Sequence, residues 1–325
     1  MWKGNLDALK TGSCSFWDIL IFGFLQSKRE CISMTSPDFL GGRMRVPPVI
    51  RAALKHIPGL DAARSAILRH RYSHAQSVID AMPVFTPNSA GAPYLRASLA
   101  LQSAANTPAL LARLIEGAAA PLPLVEFCRP APAENAERLR RLFDHYGSDK
   151  ASLHNYHLLY SEIILRADRP IQRLLEIGIG SNNPGVASNM GVKGKPGASL
   201  RAFRDFLPEA QIIGADIDRG VMFREDRIVT HVVDQTDAAA LVGLGQQIDG
   251  DLDVLIDDGL HSSHANLSVL LFGLQKVRDG GWIIIEDIGA EASPIWQLVA
   301  ALIGGKHETH LIQTRTALVF AVHKH

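Results

Sequence analysis

The sequence is poor in cysteine. Its 325 residues hold three, Cys14, Cys31 and Cys128, and none forms a C-x-x-C pair. That excludes a disulfide framework and a thiolate zinc site, and it fits a reducing, cytoplasmic compartment. The sequence also lacks net charge, because 33 Lys and Arg balance 33 Asp and Glu. No overall field draws the chain to nucleic acid or to an anionic membrane. A long apolar run is missing too. The stretch from Ser15 to Leu25 is interrupted by Asp18 and falls short of the roughly 20 residues a membrane helix needs. It follows Lys3 and Lys10 as a signal peptide would, but no small-x-small cleavage site comes after it. Stable membrane insertion is therefore not expected. Finally, no G-x-G-x-x-G runs directly into a helix, which is what a dinucleotide pyrophosphate requires.

What is present suits a globular enzyme. Hydrophobic residues make up 47% and charged residues 20%, enough apolar material for a sizeable core. Three stretches separate. Residues 1–33 read as an N-terminal extension that the fold does not need, since Met34 opens a more ordinary start. Residues 34–133 read as a helical region and linker, with helical patterns near 49–56, 60–82 and 94–117 and a Pro-rich break around 118–132. Such an arm could serve as a lid or as the element through which a homo-oligomer forms. From 134 to 325 strands and helices alternate, which implies an α/β domain with a mostly parallel sheet. Its last two strands, 310–313 and 317–322, are joined only by Thr314-Arg-Thr316, too short for a parallel crossover, so they form an antiparallel hairpin. A mostly parallel, Rossmann-like sheet closed by an antiparallel C-terminal hairpin is the shape of a class I methyltransferase.

Ligands of such sheets sit beyond the carboxyl ends of the strands, so the residues after each strand carry the chemistry. After the first comes Glu176-Ile-Gly178-Ile-Gly180, whose glycines permit a sharp turn and close approach of a ligand. The second ends in Asp216-Ile-Asp218, and Asp216 is placed to accept hydrogen bonds from ribose hydroxyls. Asp234-Gln235 follows the third and could read an adenine edge. A helix-capping role is the alternative for these acids. The fourth and fifth strands end in Asp257-Asp258-Gly259-Leu260-His261 and Glu286-Asp287. Oxygen donors gathered there suit a hard cation such as magnesium, which would also relieve their repulsion. His261, beside them, is a candidate general base.

Taken in order, Leu175-Glu-Ile-Gly-Ile-Gly180, Gly197-Ala-Ser-Leu-Arg201, Ile213-Gly-Ala-Asp216, Val233-Asp-Gln-Thr-Asp237, Ile256-Asp-Asp-Gly-Leu-His261 and Ile285-Glu-Asp287 resemble the metal-dependent sugar O-methyltransferases of macrolide biosynthesis, the mycinamicin type. The upstream Tyr146-Gly-Ser-Asp-Lys150 and His154-Asn-Tyr156 share the likeness, which covers about residues 140–323. The resemblance implies S-adenosylmethionine as methyl donor. Glu176, Gly178 and Gly180 would then line its methionine, Asp216 its ribose, and Asp234 with Gln235 its adenine. Ser148, Asp149 and Lys150 would close over the cofactor. Asp258, Glu286 and Asp287 would bind magnesium, and His261 would deprotonate a hydroxyl of a small-molecule acceptor such as a sugar. Two departures stand out: the long loop 181–196, and Leu260 where the family has a small polar residue. A hydroxylase-like enzyme on the same scaffold, a nicotinamide-dependent oxidoreductase and a non-catalytic adaptor are the rival readings.

Because the apolar run at 15–25 is short and interrupted, a protein beginning at Met34 is expected to stay soluble and folded. Size-exclusion chromatography checks this, and aggregation of the truncated protein would show that the run is needed.

Overall fold

Strands and helices do alternate in the computed structural model, which describes residues 93–115, 120–128 and 133–325. The extension at 1–33 and the helical patterns at 49–56 and 60–82 lie outside the described residues. In chain order the elements are α1 (Pro93–Ala112), β1 (Leu122–Pro123), α2 (Leu124–Phe127), α3 (Ala133–Tyr146), α4 (Asp149–Ser152), α5 (Tyr156–Arg166), β2 (Arg173–Ile177), α6 (Ala198–Phe206), β3 (Gln211–Asp216), β4 (Arg224–Glu225), β5 (Ile228–Val232), α7 (Ala238–Gln247), β6 (Leu252–Asp257), α8 (Ser263–Lys276), β7 (Val277–Ile288), α9 (Ser293–Ile303), β8 (Glu308–Gln313) and β9 (Leu318–His323). All lie in one compact unit, residues 74–325.

The strands form a single sheet in the order β1-β8-β9-β7-β6-β2-β3-β5-β4. Strands β5, β3, β2, β6 and β7 run parallel, and β9 is antiparallel to both β7 and β8. The hairpin expected from the short Thr314-Arg-Thr316 link is therefore present, with β9 inserted between β7 and β8. The result is a mostly parallel, Rossmann-like sheet closed by an antiparallel hairpin, the architecture expected from the sequence. Chain order reverses at the β2–β6 boundary, since β3 lies to one side of β2 and β6 to the other. A crevice opens beyond the strand ends at such a reversal.

Side-chain alternation explains the two-faced core. From β6, Val254 and Ile256 enter one cluster and Leu255 the other; from β7, Trp282 and Ile284 face the first, Ile283 and Ile285 the second. Helices α3, α5 and α6 cover the first face through Phe143, Tyr160 and Phe203. Helices α7, α8 and α9 cover the other through Leu244, Val269 and Trp296. The segment read as a linker contributes more than a tether. Leu122–Pro123 pairs with β8 at the sheet edge, and Leu124 and Phe127 are buried behind it. Prolines hid that strand, because Pro cannot donate to a ladder and is tolerated only at an edge. Burial pushes the Cys128 thiol beside it up to about 11. No helix among the described residues is long and apolar enough to cross a membrane.

Phe203 joins the layers that carry the site. Its ring meets Phe143 of α3 edge-on at 5.4 Å and Tyr160 of α5 at 5.1 Å. Phe203→Ala is expected to cost about 3–5 kcal/mol of unfolding free energy. A urea titration followed by circular dichroism reads this directly, and a shift below 1 kcal/mol would mean the three helices are held by something else.

Candidate functional site

The crevice is built where β2 and β6 end side by side. Gly178 has φ +90°, and a Cβ there would lie 2.1 Å from the carbonyl oxygen of Asp258. Only glycine lets the two strand ends pass so closely. Asp216, at the end of β3, holds the turn from its other side. One carboxylate oxygen accepts from the Ile179 amide at 3.0 Å and the other from the Asp218 amide at 2.9 Å. The long loop 181–196 folds back on itself, with the Met190 amide donating to the Ser181 carbonyl at 2.9 Å. It becomes one wall of a cavity of about 530 Å³ lined by Gly178, Gly180, Asp216, Asp234, Gln235 and Asp258. Gln235 crosses the cavity floor. Its amide donates to Asp257 at 3.0 Å, and its carbonyl accepts from the Leu260 amide at 2.9 Å. Asp234 Oδ1 accepts from the amide and hydroxyl of Thr236. Asp257 itself is fully buried, and burial pushes its carboxyl up to about 7.

Beside the cavity lies a buried ionic cluster. Ser148 caps α4 by accepting from the Lys150 amide, which aims the Lys150 side chain inward. The Lys150 ammonium, 3% exposed, donates to Asp258 Oδ2 at 2.7 Å, to Glu286 Oε2, and stands 3.3 Å from Glu176 Oε1. Tyr160 donates to the second oxygen of Glu286, and Ser199 donates to Glu176 at 2.6 Å. Burial raises the carboxyls of Glu286 and Glu176 above the ordinary carboxylate range; Lys150 opposes that shift, and neighbouring acids add to it. Burial alone would lower the Lys150 ammonium, but Asp258, Glu286 and Glu176 outweigh it and hold the group protonated.

A second, more open cluster stands in front of this one. His261 Nε2 lies 3.8 Å from Asp258 Oδ1 and 4.0 Å from Asp287 Oδ2. The other oxygen of each carboxylate is occupied: Asp258 Oδ2 by Lys150, Asp287 Oδ1 by the Tyr156 hydroxyl, with His154 Nδ1 at 3.3 Å. Two carboxylate oxygens and one imidazole nitrogen thus converge within 4.8 Å. Both His261 and Asp287 hold left-handed backbone, at φ 55° and 53°. Such conformations cost of order 1 kcal/mol or more in residues other than glycine and collect at functional sites.

The expected site residues therefore fall into three groups. Gly178, Gly180, Asp216, Asp234 and Gln235 share one cavity. Asp258, Asp287 and His261 converge beside it, and Asp258 belongs to both. Ser148, Lys150, Glu176 and Glu286 sit behind, with Glu286 fully buried against Lys150 and Tyr160 rather than among the converging oxygens. Three participants were given no role from the sequence. Tyr156 and Tyr160 lie four residues apart on α5, and their rings also belong to the core. His154 stacks on Tyr156 at 5.0 Å.

The Lys150 cluster generates a pH-dependent prediction. Lys150→Met leaves three acids without their cation and is expected to cost about 3–5 kcal/mol near neutral pH. Carboxyls raised above their unfolded pKa keep full stability at low pH and lose it as pH climbs through the folded value. Removing the ammonium raises them further, so the cost should be smaller at pH 5 than at pH 8. Urea unfolding of both proteins at the two pH values measures this; an equal cost at both would remove the carboxylates from the account.

No protein-family profile matches the chain. It is 30% identical over 152 residues to the 8-demethyl-8-alpha-L-rhamnosyl tetracenomycin-C 2'-O-methyltransferase of Streptomyces olivaceus, covering 47% of this chain and 38% of that protein. It is 38% identical over 119 residues to demethylmacrocin O-methyltransferase of Streptomyces fradiae, covering 36% and 27%. The chain thus spans well under half the length of these relatives. Among solved structures, the MycE methyltransferase of the mycinamycin pathway, in complex with Mg and SAH, is similar with TM-score 0.47 and 28% identity over 57% of this chain and 54% of that one. Over the stretch it shares with its curated relatives, the chain resembles the macrolide sugar O-methyltransferases, within the class I S-adenosylmethionine-dependent methyltransferases.

Proposed function

We propose that the chain is an S-adenosylmethionine-dependent O-methyltransferase acting on a hydroxyl of a sugar or glycosylated small molecule, assisted by magnesium. One observation carries the reading: Asp258 lines the crevice cavity and also belongs to the cluster it forms with His261 and Asp287. A donor pocket and a group of acceptor-activating side chains therefore share a wall. The relatives from Streptomyces olivaceus are named for placing methyl groups on sugar oxygens, which supports the acceptor class. The catalytic domain in this reading is residues 134–325 together with the edge strand Leu122–Pro123 that pairs with β8, and the compartment is the cytoplasm.

In the cavity, Asp216 offers acceptor oxygens to the ribose hydroxyls, and Asp234 with Gln235 faces the adenine. Gly178 and Gly180 admit the methionine chain close to the backbone, bounded behind by Glu176, Ser148 and Lys150. The converging donors fit a magnesium ion, because two free carboxylate oxygens face one space while their partners are tied back by Lys150 and Tyr156. Asp258 and Asp287 would hold it, and Glu286 would join them only by releasing Lys150. Bound there, the ion supplies Lewis acidity that lowers the pKa of an acceptor hydroxyl. His261 stays available as the base, since magnesium prefers oxygen to imidazole. Its Nε2 takes the hydroxyl proton; the oxygen bonds to the methyl carbon as the carbon–sulfur bond breaks, and S-adenosylhomocysteine leaves. The strained His261 backbone aims the ring, so orientation supplies much of the rate.

Isothermal titration calorimetry should show binding of S-adenosylmethionine, much weaker binding of NAD, and retention of S-adenosylmethionine affinity in His261→Ala. With a rhamnosyl acceptor, that variant should lose roughly 10²–10⁴-fold in turnover, and chelation of magnesium should abolish activity. Tighter binding of NAD than of S-adenosylmethionine would replace this reading with the oxidoreductase alternative. Full activity in chelator would take the metal out of it.

A further inference from the structure

The far end of the hairpin carries a second group of metal-ligand side chains that the methyl-transfer reading does not use. Glu308 opens β8, and His323, which closes β9, is its direct partner across the antiparallel ladder. Directly opposite residues share a face, with Cβ atoms about 5 Å apart. The chain continues pairing with the β7 side beyond His323, because the Lys324 amide donates to the Gly281 carbonyl at 2.9 Å and the Gly280 amide to the Lys324 carbonyl at 2.7 Å. By strand alternation this returns His325 to the face of His323. One ligand atom each from Glu308, His323 and His325 falls within 4.8 Å of the others.

The group is held from outside. The His323 ring stacks on the buried Trp282 at 4.5 Å and 12°, and the His325 ring meets it edge-on at 4.8 Å. The His325 amide donates to His307 Nδ1, which fixes the chain at that point. Glu308 is flanked by two imidazoles: Oε1 lies 2.8 Å from His310 Nε2, and Oε2 lies 3.4 Å from His323 Nδ1. His323 Nε2 is enclosed and has no hydrogen-bond partner.

Two imidazoles and one carboxylate form a harder-to-mistake set than the crevice cluster, which has two carboxylates and one imidazole. Nitrogen-rich sets of this kind select zinc and its neighbours over magnesium, and three protein ligands leave a fourth position for water. We propose that Glu308, His323 and His325 form a zinc-class site at the amino-terminal end of β7, clipping the chain after β9 onto β8. Trp282 marks its level and Asp287 the level of the crevice. Those residues are about 17 Å apart along β7, taking about 3.3 Å per residue, so the site is separate from the methyl-transfer centre.

The test is a calorimetric titration of Zn²⁺ into metal-free, untagged full-length protein carrying Asp258→Asn and Asp287→Asn, which removes the crevice cluster. One equivalent of zinc should still bind, and Co²⁺ in its place should give the visible absorption bands of a four-coordinate ion. Adding His325→Ala or Glu308→Gln should weaken binding at least tenfold; both side chains are exposed, so neither change disturbs the core. If the double variant misfolds, the same comparison is made in the otherwise unsubstituted protein with Mg²⁺ in excess to occupy the crevice. Absence of bound zinc, or a loss smaller than tenfold in both variants, overturns the site. Either result leaves the methyltransferase reading standing, since no step of it uses these residues.

Discussion

The crevice depends on one buried ammonium. Lys150 comes from a single-turn helix outside the sheet, yet it touches acids at the ends of three adjacent strands: Glu176 of β2, Asp258 just beyond β6 and Glu286 of β7. Without a cation, acids so close would repel one another and the strand ends would splay. With it, the strand ends are drawn together and the front oxygens of Asp258 and Asp287 are left facing open space. Burying an ion pair seldom stabilises a fold over a well-packed apolar alternative. Its value here is positional, because it fixes which carboxylate oxygens are engaged and which are offered.

That arrangement divides labour among acids that look equivalent in sequence. Asp257, Asp258, Glu286 and Asp287 form two acidic pairs, yet each pair has an inner and an outer member. Asp257 turns to Gln235 beneath the cavity and Glu286 turns to Lys150 and Tyr160, while Asp258 and Asp287 face the crevice. Alternation along a strand produces the split, with the left-handed backbone at Asp287 finishing the turn outward. The aromatic hydroxyls on α5 do the rest. Tyr156 serves the outer carboxylate of β7 and Tyr160 the inner one.

Much of this was legible in the sequence for a physical reason. Parallel strands buried on both faces are written as short apolar runs, and each run here ends in an acid or glycine that has no place in a core. Runs such as Val254–Ile256, followed by Asp257 and Asp258, therefore announce both the strand and its acidic end. The hairpin was legible because three residues cannot cross a sheet. Other features were hidden. The edge strand at Leu122–Pro123 is two residues long and proline-bearing, so no periodicity marks it. The inward turn of Lys150 depends on a tertiary meeting of α4 with three strands, which local pattern does not encode. Gln235 reads as a pocket residue, and only the fold shows that both ends of its amide are tied to the β6 loop.

The place of β9 has a consequence for how the molecule is made. Strand β9 lies between β7 and β8, so β8 is joined to the sheet only through a strand that follows it in the chain. During synthesis β7 emerges with its apolar stretch Trp282–Ile285 and an open ladder edge, and that edge stays open until β9 arrives. An unprotected hydrophobic edge is a template for pairing with another chain, and long-range closure of this kind is slow. The nascent protein thus passes through an aggregation-exposed stage at about 35 residues before the hairpin closes, counting from Ile288 to His323. Expression yield should then respond to temperature and chaperone supply more than the stability of the finished fold would suggest.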